Sequence, residues 1–537
     1  RKKKSDTYRI TQRFTTRILY SESGSPYGLP SEIIKNGWNR KEAERIYRAV
    51  LDYDDLGNLK AQTLYGQTDE HPKIKTFEYN NANLLEIYSD SEGNHQTFGY
   101  DALNRVQSIT DHPKGLVYTH TYGPLDTLVQ EEITDSSGKR LTSNFVYDYQ
   151  GLLINRMDGF GRETEYAYDP LQRLIELSLP AVKDYKEQVS RPAFTYEYDI
   201  LGNLTKIIDP EGYVEEIEST IRGQKTANHY PDGTFELFKY DQEGSPHRHH
   251  SRQGLTRIFE YGASGHLTQI EVNRTKKYND SDYLFSCKYE NTQFFQKTSN
   301  DRLGKYIYAY SPSGNLSKAI SSNKENETDF IYGDFGKLKQ INSYFGPASK
   351  DVRIESFERD SQGRVIERSI VDSEGRVLFN NKVSYSLSGD EMVIHHPTDA
   401  FYETTEKLLF DPFGDLIQSE DSEGKVTYFE TEIFSENGAL YLRKKATLPS
   451  HIALEEVFDA LDRLVHISLK DSKSKLLKQA QFSYDLLRNL RVQRVANVVN
   501  GQIKEWQTTQ WTYGPCHRLE AKTENQGTPQ EKRTSYD

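Results

Sequence analysis

One seven-residue phrase, aromatic-Asp-x-x-Gly-Asn/Arg-Leu/Val, recurs along almost the whole chain. A repeat of that kind decides the architecture before any single residue does. Clear copies are Tyr53-Asp54-Asp55-Leu56-Gly57-Asn58-Leu59 and Tyr198-Asp199-Ile200-Leu201-Gly202-Asn203-Leu204. With the aromatic as anchor, twenty copies fall at 53, 79, 100, 122, 147, 168, 198, 219, 240, 261, 289, 310, 332, 359, 385, 410, 434, 458, 484 and 513. Tyr100, Tyr147, Tyr168, Tyr240, Tyr310, Phe410, Phe458 and Tyr484 join Tyr53 and Tyr198 as structural anchors; Ser219 and Arg359 are the two positions that are not Tyr or Phe. The steps run from 21 to 30 residues. A constant minimum with variable excess describes a fixed unit whose turns accept insertions.

Twelve copies carry Gly four residues after the anchor, as at Gly57, Gly202 and Gly414, while others have Asn83, Asn104, Asp126 or Asp462. These residue types tolerate a left-handed backbone, so the turn is expected to need φ > 0 there. The Asp after the anchor (Asp54, Asp199, Asp411) has the reach to bond amides across the turn. Asp-x-x-Gly therefore reads as a type I turn closed by a left-handed residue, a common hairpin connection. A second turn signal lies about halfway between anchors, as in Asp209-Pro210-Glu211-Gly212 and Asp421-Ser422-Glu423-Gly424. Alternating runs such as Phe194-Thr195-Tyr196-Glu197-Tyr198 fill the space between, with the period of half-buried strands. Each unit is thus two short antiparallel strands, and the class is all-β.

Residues 1–52 form an irregular lead-in, where Asn39, Glu42 and the spacing of Ala43, Ile46, Tyr47, Val50 and Leu51 predict a short helix over 40–51. Residues 53–537 form the array, which reads as cut in mid-repeat at Ser535-Tyr536-Asp537. Twenty units of two strands give about 40 strands, about 190 Å of sheet at roughly 4.8 Å per strand. Open sheets seldom exceed about 10 strands without curling. The expected fold is a spiralling antiparallel sheet forming a hollow shell or part of one, with a compact stacked solenoid as the competing geometry.

Composition bears this out. Only 35% of residues are hydrophobic, which suits a thin sheet with two solvated faces, while 12% aromatics argue against disorder. The net charge of -12 disfavours nucleic-acid binding, and the Arg1-Lys2-Lys3-Lys4 opening reads as a solvated end. No apolar run reaches the length of a membrane-spanning segment.

The repeated Tyr-Asp-x-x-Gly-Asn/Arg-Leu units resemble the YD repeats of the RHS family, which includes bacterial polymorphic toxins, toxin-complex B and C components and teneurin-like shells. The resemblance covers roughly residues 53 to 537. It implies a spiralling β-sheet that closes into a hollow cocoon around a C-terminal toxin, released by self-cleavage, in a secreted or cell-surface bacterial protein. Asp411-Pro412-Phe413-Gly414-Asp415-Leu416 is superficially similar to the family's cleavage ending, yet it sits in register as an ordinary repeat turn.

Chemistry-bearing residues are sparse. His247, His249 and His250 form the densest histidine group but read as a solvated turn, as do His395 and His396 before Pro397. Cys516 and its neighbour His517 lie in a turn, and catalytic Cys–His pairs meet through the fold rather than in sequence. Cys287 and Cys516 are too few for a disulfide framework. No phosphate-binding loop, dinucleotide fingerprint or His-Glu-x-x-His is present, so the expectation is no enzyme, cofactor or metal. The expected role is a non-catalytic shell around a toxin or other polypeptide cargo in the same or a partner chain. The alternative is an adhesin-like surface for a cell-surface glycan or partner protein, built on the insertions at 168–198, 261–289 and 484–513.

Overall fold

A turn that closes on itself within five residues leaves the chain nowhere to go but back along its own strand, and this happens at both ends of almost every strand. The computed structural model describes residues 12–536 apart from 22–27, 40–42, 263–264, 278–279, 292–295, 302–303, 322–325, 346–350, 361, 387 and 400–401. Among the described residues there are 45 strands and two short 3-10 turns. Pairing is antiparallel and between sequence neighbours, as in Ala193–Tyr198 with Leu204–Ile208 and Leu204–Ile208 with Val214–Ser219. Two strands stand apart: Val182–Lys183 and Val189–Ser190 pair only with each other.

The ladder slips by one residue at the anchor turns, where Glu197 opposes Lys206 but Tyr198 opposes Leu204. That slip is the bulge a left-handed residue produces at the end of a type I turn. Every described copy has positive φ four residues after the anchor, including Gly57 (89°), Gly202 (88°) and Gly414 (91°), and also Gln172 (64°) and Arg488 (69°).

The expected helix over 40–51 is absent. Ala43–Tyr53 is a strand, paired to Pro30–Asn39 on one side and Leu59–Tyr65 on the other, while residues 40–42 lie outside the described residues. Tyr47, Ala49, Leu51 and Tyr53 also alternate with period two, and ladders on both flanks decide between the two periods. The lead-in is correspondingly regular, since Gln12–Tyr20 already pairs with Pro30–Asn39. Arg1 to Lys4 lie outside the described residues.

The chain divides into two compact units, residues 1–115 with 240–406, and residues 116–239 with 407–537. In the first, turns of one run of strands bond to turns of a later run. Ser313 donates its amide to the Glu44 carboxylate at 3.3 Å across 269 positions. Asp334 accepts from the Gln67 amide at 3.0 Å across 267, and Gln362 donates to the Glu92 carbonyl at 3.2 Å across 270. The second unit has its own seam. Lys139 meets Asp411 at 2.6 Å, and the Leu486 amide donates to Glu211 at 3.0 Å, across 272 and 275 positions. Buried apolar side chains are few. The cluster in the second unit holds Val182, Ala460 and Leu461, with Leu179, Leu440 and Leu486 packed against it.

Candidate functional site

The recurring site is the turn itself. In the Asp199 copy, Oδ1 accepts from the Leu201 amide (2.9 Å) and the Asn203 amide (2.8 Å), and Oδ2 accepts from Asn203 Nδ2 (2.9 Å). The backbone closes beneath it, with the Gly202 amide donating to the Asp199 carbonyl at 3.1 Å. Asp54 repeats the pattern with Leu56 and Asn58. Donors aimed at the carboxylate favour its charged form. The Asn58 amide side chain, foremost, holds Asp54 below the usual carboxylate range, and Asn203 does the same for Asp199. The mid-repeat turns use the same chelate, as at Asp209 and Asp421.

The residue after the left-handed position is what the sequence left unexplained. Where it is Arg, the side chain does two jobs. Arg173 gives Nε to its own Asp169 at 2.7 Å and Nη1 to the Asp199 carbonyl of the next turn at 3.0 Å, with its guanidinium 4.8 Å from the Tyr198 ring centroid. Arg463 does the same with Asp459 (2.6 Å), the Asp485 carbonyl (2.7 Å) and the Tyr484 ring (5.1 Å). Here the pair is buried, with side-chain exposures of 4% and 2%. The alternation of Asn and Arg in the phrase was the visible signal; the second bond, to a turn one repeat later, carries no local pattern.

The anchors link units the other way. Tyr79 donates its hydroxyl to the Leu59 carbonyl (3.0 Å), Tyr168 to Leu153 (3.0 Å), Tyr198 to Leu174 (2.8 Å) and Tyr484 to Leu464 (2.9 Å). Each acceptor is the Leu that closes the preceding anchor turn. Tyr100 uses the Leu85 carbonyl in the same way, and Tyr53 uses Pro30. Desolvation raises the phenols of Tyr53, Tyr100, Tyr168 and Tyr484 above their ordinary value. Tyr147, Tyr240, Tyr310 and Phe410 end their strands at the same place, and Phe458 lies one residue before the end of its own. The anchor hydroxyls with these bonds are engaged in the sheet.

The insertion in the copy at 168 builds the separate hairpin, which folds against its own unit. Val182 has no exposed surface, and Tyr185 lies under Arg491, 5.4 Å from guanidinium to ring centroid.

Asp411 accepts from the Phe413 (3.0 Å) and Asp415 (2.9 Å) amides as any repeat turn does, and its second oxygen takes Lys139. His247, His249 and His250 lie on the strand Pro246–His250 rather than in a turn, because ladder pairing to Leu255–Tyr261 extends that far. His247 contacts the Phe259 carbonyl and His250 the Thr256 hydroxyl, so the rings do not converge. His395 is likewise on a strand, and the side chain of His396 lies outside the described residues. His517 bonds Asn489 at 2.8 Å, one ring nitrogen thus being turned to a repeat residue; the side chain of Cys287 lies outside the described residues. Among the described residues no group of three His, Cys, Asp or Glu side chains is placed to hold a metal ion, and no helix is long and apolar enough to cross a membrane.

Chelated Asp turns, hydroxyl-linked anchors and neighbour-paired strands define an all-β repeat protein. Residues 33–179 match the family described as Teneurin YD-shell. Over those residues the chain is similar to this YD-shell, or RHS-repeat, family. It is 25% identical over 505 residues to double-stranded DNA deaminase toxin A of Burkholderia cenocepacia, covering 86% of this chain and 31% of that protein. It is 24% identical over 335 residues to the tRNA3(Ser)-specific nuclease WapA of Bacillus spizizenii, covering 53% of this chain and 13% of that one. The chain thus spans less than a third of the length of these relatives. The solved TcdB2-TccC3 without its hypervariable C-terminal region aligns over 96% of this chain and 30% of its own, at 10% identity and a TM-score of 0.48.

Proposed function

We propose that this chain is a wall segment of a non-catalytic shell that encloses a polypeptide cargo, a toxin or effector carried in the same or a partner chain, and that the whole protein is exported or displayed by a bacterium. The observation that carries the reading is the seam within each unit. Strand flanks are covered by hydrogen-bonded neighbours, and turn edges are tied to other turns some 270 positions away. A sheet sealed on flank and rim offers few free edges for pairing with other chains and blocks a protease by size. Both faces keep half-exposed side chains rather than a dry core, which suits a wall with water or cargo on either side. The relatives support it by their names, two of which are a deaminase toxin and a nuclease, activities that need containment.

The surface-recognition alternative draws less support. The insertion at 168–198 was one of its three bases, and its hairpin is packed down through Val182 instead of standing free. Limited proteolysis of the native gene product decides the matter. Cargo should survive while the shell is intact and be digested once the seam is opened; cargo cut as quickly inside as alone overturns the proposal.

A further inference from the structure

One anchor breaks the rule in a way that leaves charge behind. At position 359 the repeat has Arg where a tyrosine hydroxyl would otherwise reach the Leu338 carbonyl, and a cavity of about 740 Å³ lies there within the first unit. Arg359 Nη1 donates to the Gly363 carbonyl at 3.0 Å, but its Nε is buried with no hydrogen-bond partner. Lys337 runs alongside, its Cε 4.0 Å from where a β-carbon would stand on Gly363. Lys73 and Lys339 line the same space. Burial first, and the neighbouring Lys337 after it, holds the Lys73 ammonium below its usual range, a sign of crowded positive charge.

The nearby carboxylates are mostly committed. Glu92 pairs with Lys73, Asp360 is held by Arg364 at 2.7 Å, and Asp334 accepts the Gln67 and Thr68 amides. Glu358 and Asp334 lack a cationic partner among the described residues, against Lys337, Lys339 and Arg359, none of which has an ion pair there. Phe335, Leu338 and Phe357 line the same cleft, with Lys73 5.6 Å from the Phe335 ring centroid, and the volume is that of a small-molecule site.

We propose that this cavity binds a small ligand carrying a phosphate or sulfate ester on a ring body, with Arg359 and Lys337 receiving the oxyanion and the aromatic side chains receiving the ring. Arginine presents the fork that matches such an anion.

The test titrates the 537-residue protein with inorganic phosphate, inorganic sulfate, glucose 6-phosphate and glucose 6-sulfate, against glucose and chloride at matched ionic strength. Calorimetry should show saturable binding of the esters, tighter than that of the inorganic ions, and none of glucose. Arg359→Tyr restores the repeat anchor, so it should melt no lower than the parent while weakening binding at least tenfold. Lys337→Ala, on an exposed side chain, should weaken it several-fold and serves if Arg359→Tyr does not fold. Equal effects of chloride, unchanged binding in both variants, or binding confined to acidic peptides or long polyanions with the small esters silent would each overturn the proposal.

Discussion

The carboxylate of Asp199 accepts from three donors within five residues, and the backbone beneath it must turn left-handed at Gly202 for all three to point inward. A β-carbon built on Gly202 meets nothing within 4 Å, so conformation rather than crowding decides a substitution there. Gly202→Ala is expected to destabilise by about 1–2 kcal/mol, the usual cost of a left-handed alanine. Urea midpoints of the two proteins measure it, and an unchanged midpoint would mean that the turn relaxes to another type. Gln172 and Arg488 occupy the same conformation without being Gly, which indicates that neighbouring ladders impose it.

Arg463 ties two consecutive hairpins with one side chain. Replacing it by Leu leaves Asp459 buried without its charged partner, and the expected loss is about 3–5 kcal/mol. Replacing Arg463 and Asp459 together by apolar residues should recover a large part of that loss, which a double-mutant cycle on thermal unfolding would reveal. Recovery absent from the cycle would place the energy in the bond to the Asp485 carbonyl instead. At this scale the limits of sequence reading are visible. Turn type and strand alternation were legible because each depends on residues close in the chain. The strand at 43–53 was misread as a helix because its apolar residues satisfy both periods, and only its ladder partners choose. The hairpin around Val182 and the Arg463 link were illegible, since their partners lie a repeat or several hundred positions away.

Across the whole molecule the same carboxylates act together. Asp54, Asp101, Asp199 and Asp372 are all held below their ordinary range, led by bonds from Asn58, Arg105, Asn203 and Arg376. A depressed folded-state value means stability is fully present above the unfolded value near about 3.9 and is lost as pH falls through the folded value. Thermal midpoints should therefore be flat with respect to these groups above about pH 5 and fall steeply below about pH 4. A midpoint that holds steady to pH 2 would show the turn chelates to be energetically idle.

Pairing between sequence neighbours has a consequence in time. A hairpin needs only the next few residues, so each can form as its strands leave the ribosome. The seam is different, because Glu92 must wait for Gln362 and Lys139 for Asp411. At roughly 5–20 residues per second, some 270 positions take about 15–50 s to synthesise. For that interval the early strands exist as a ribbon with one rim bare, and translation speed sets how long a chaperone, a protease or a cargo segment has access to it.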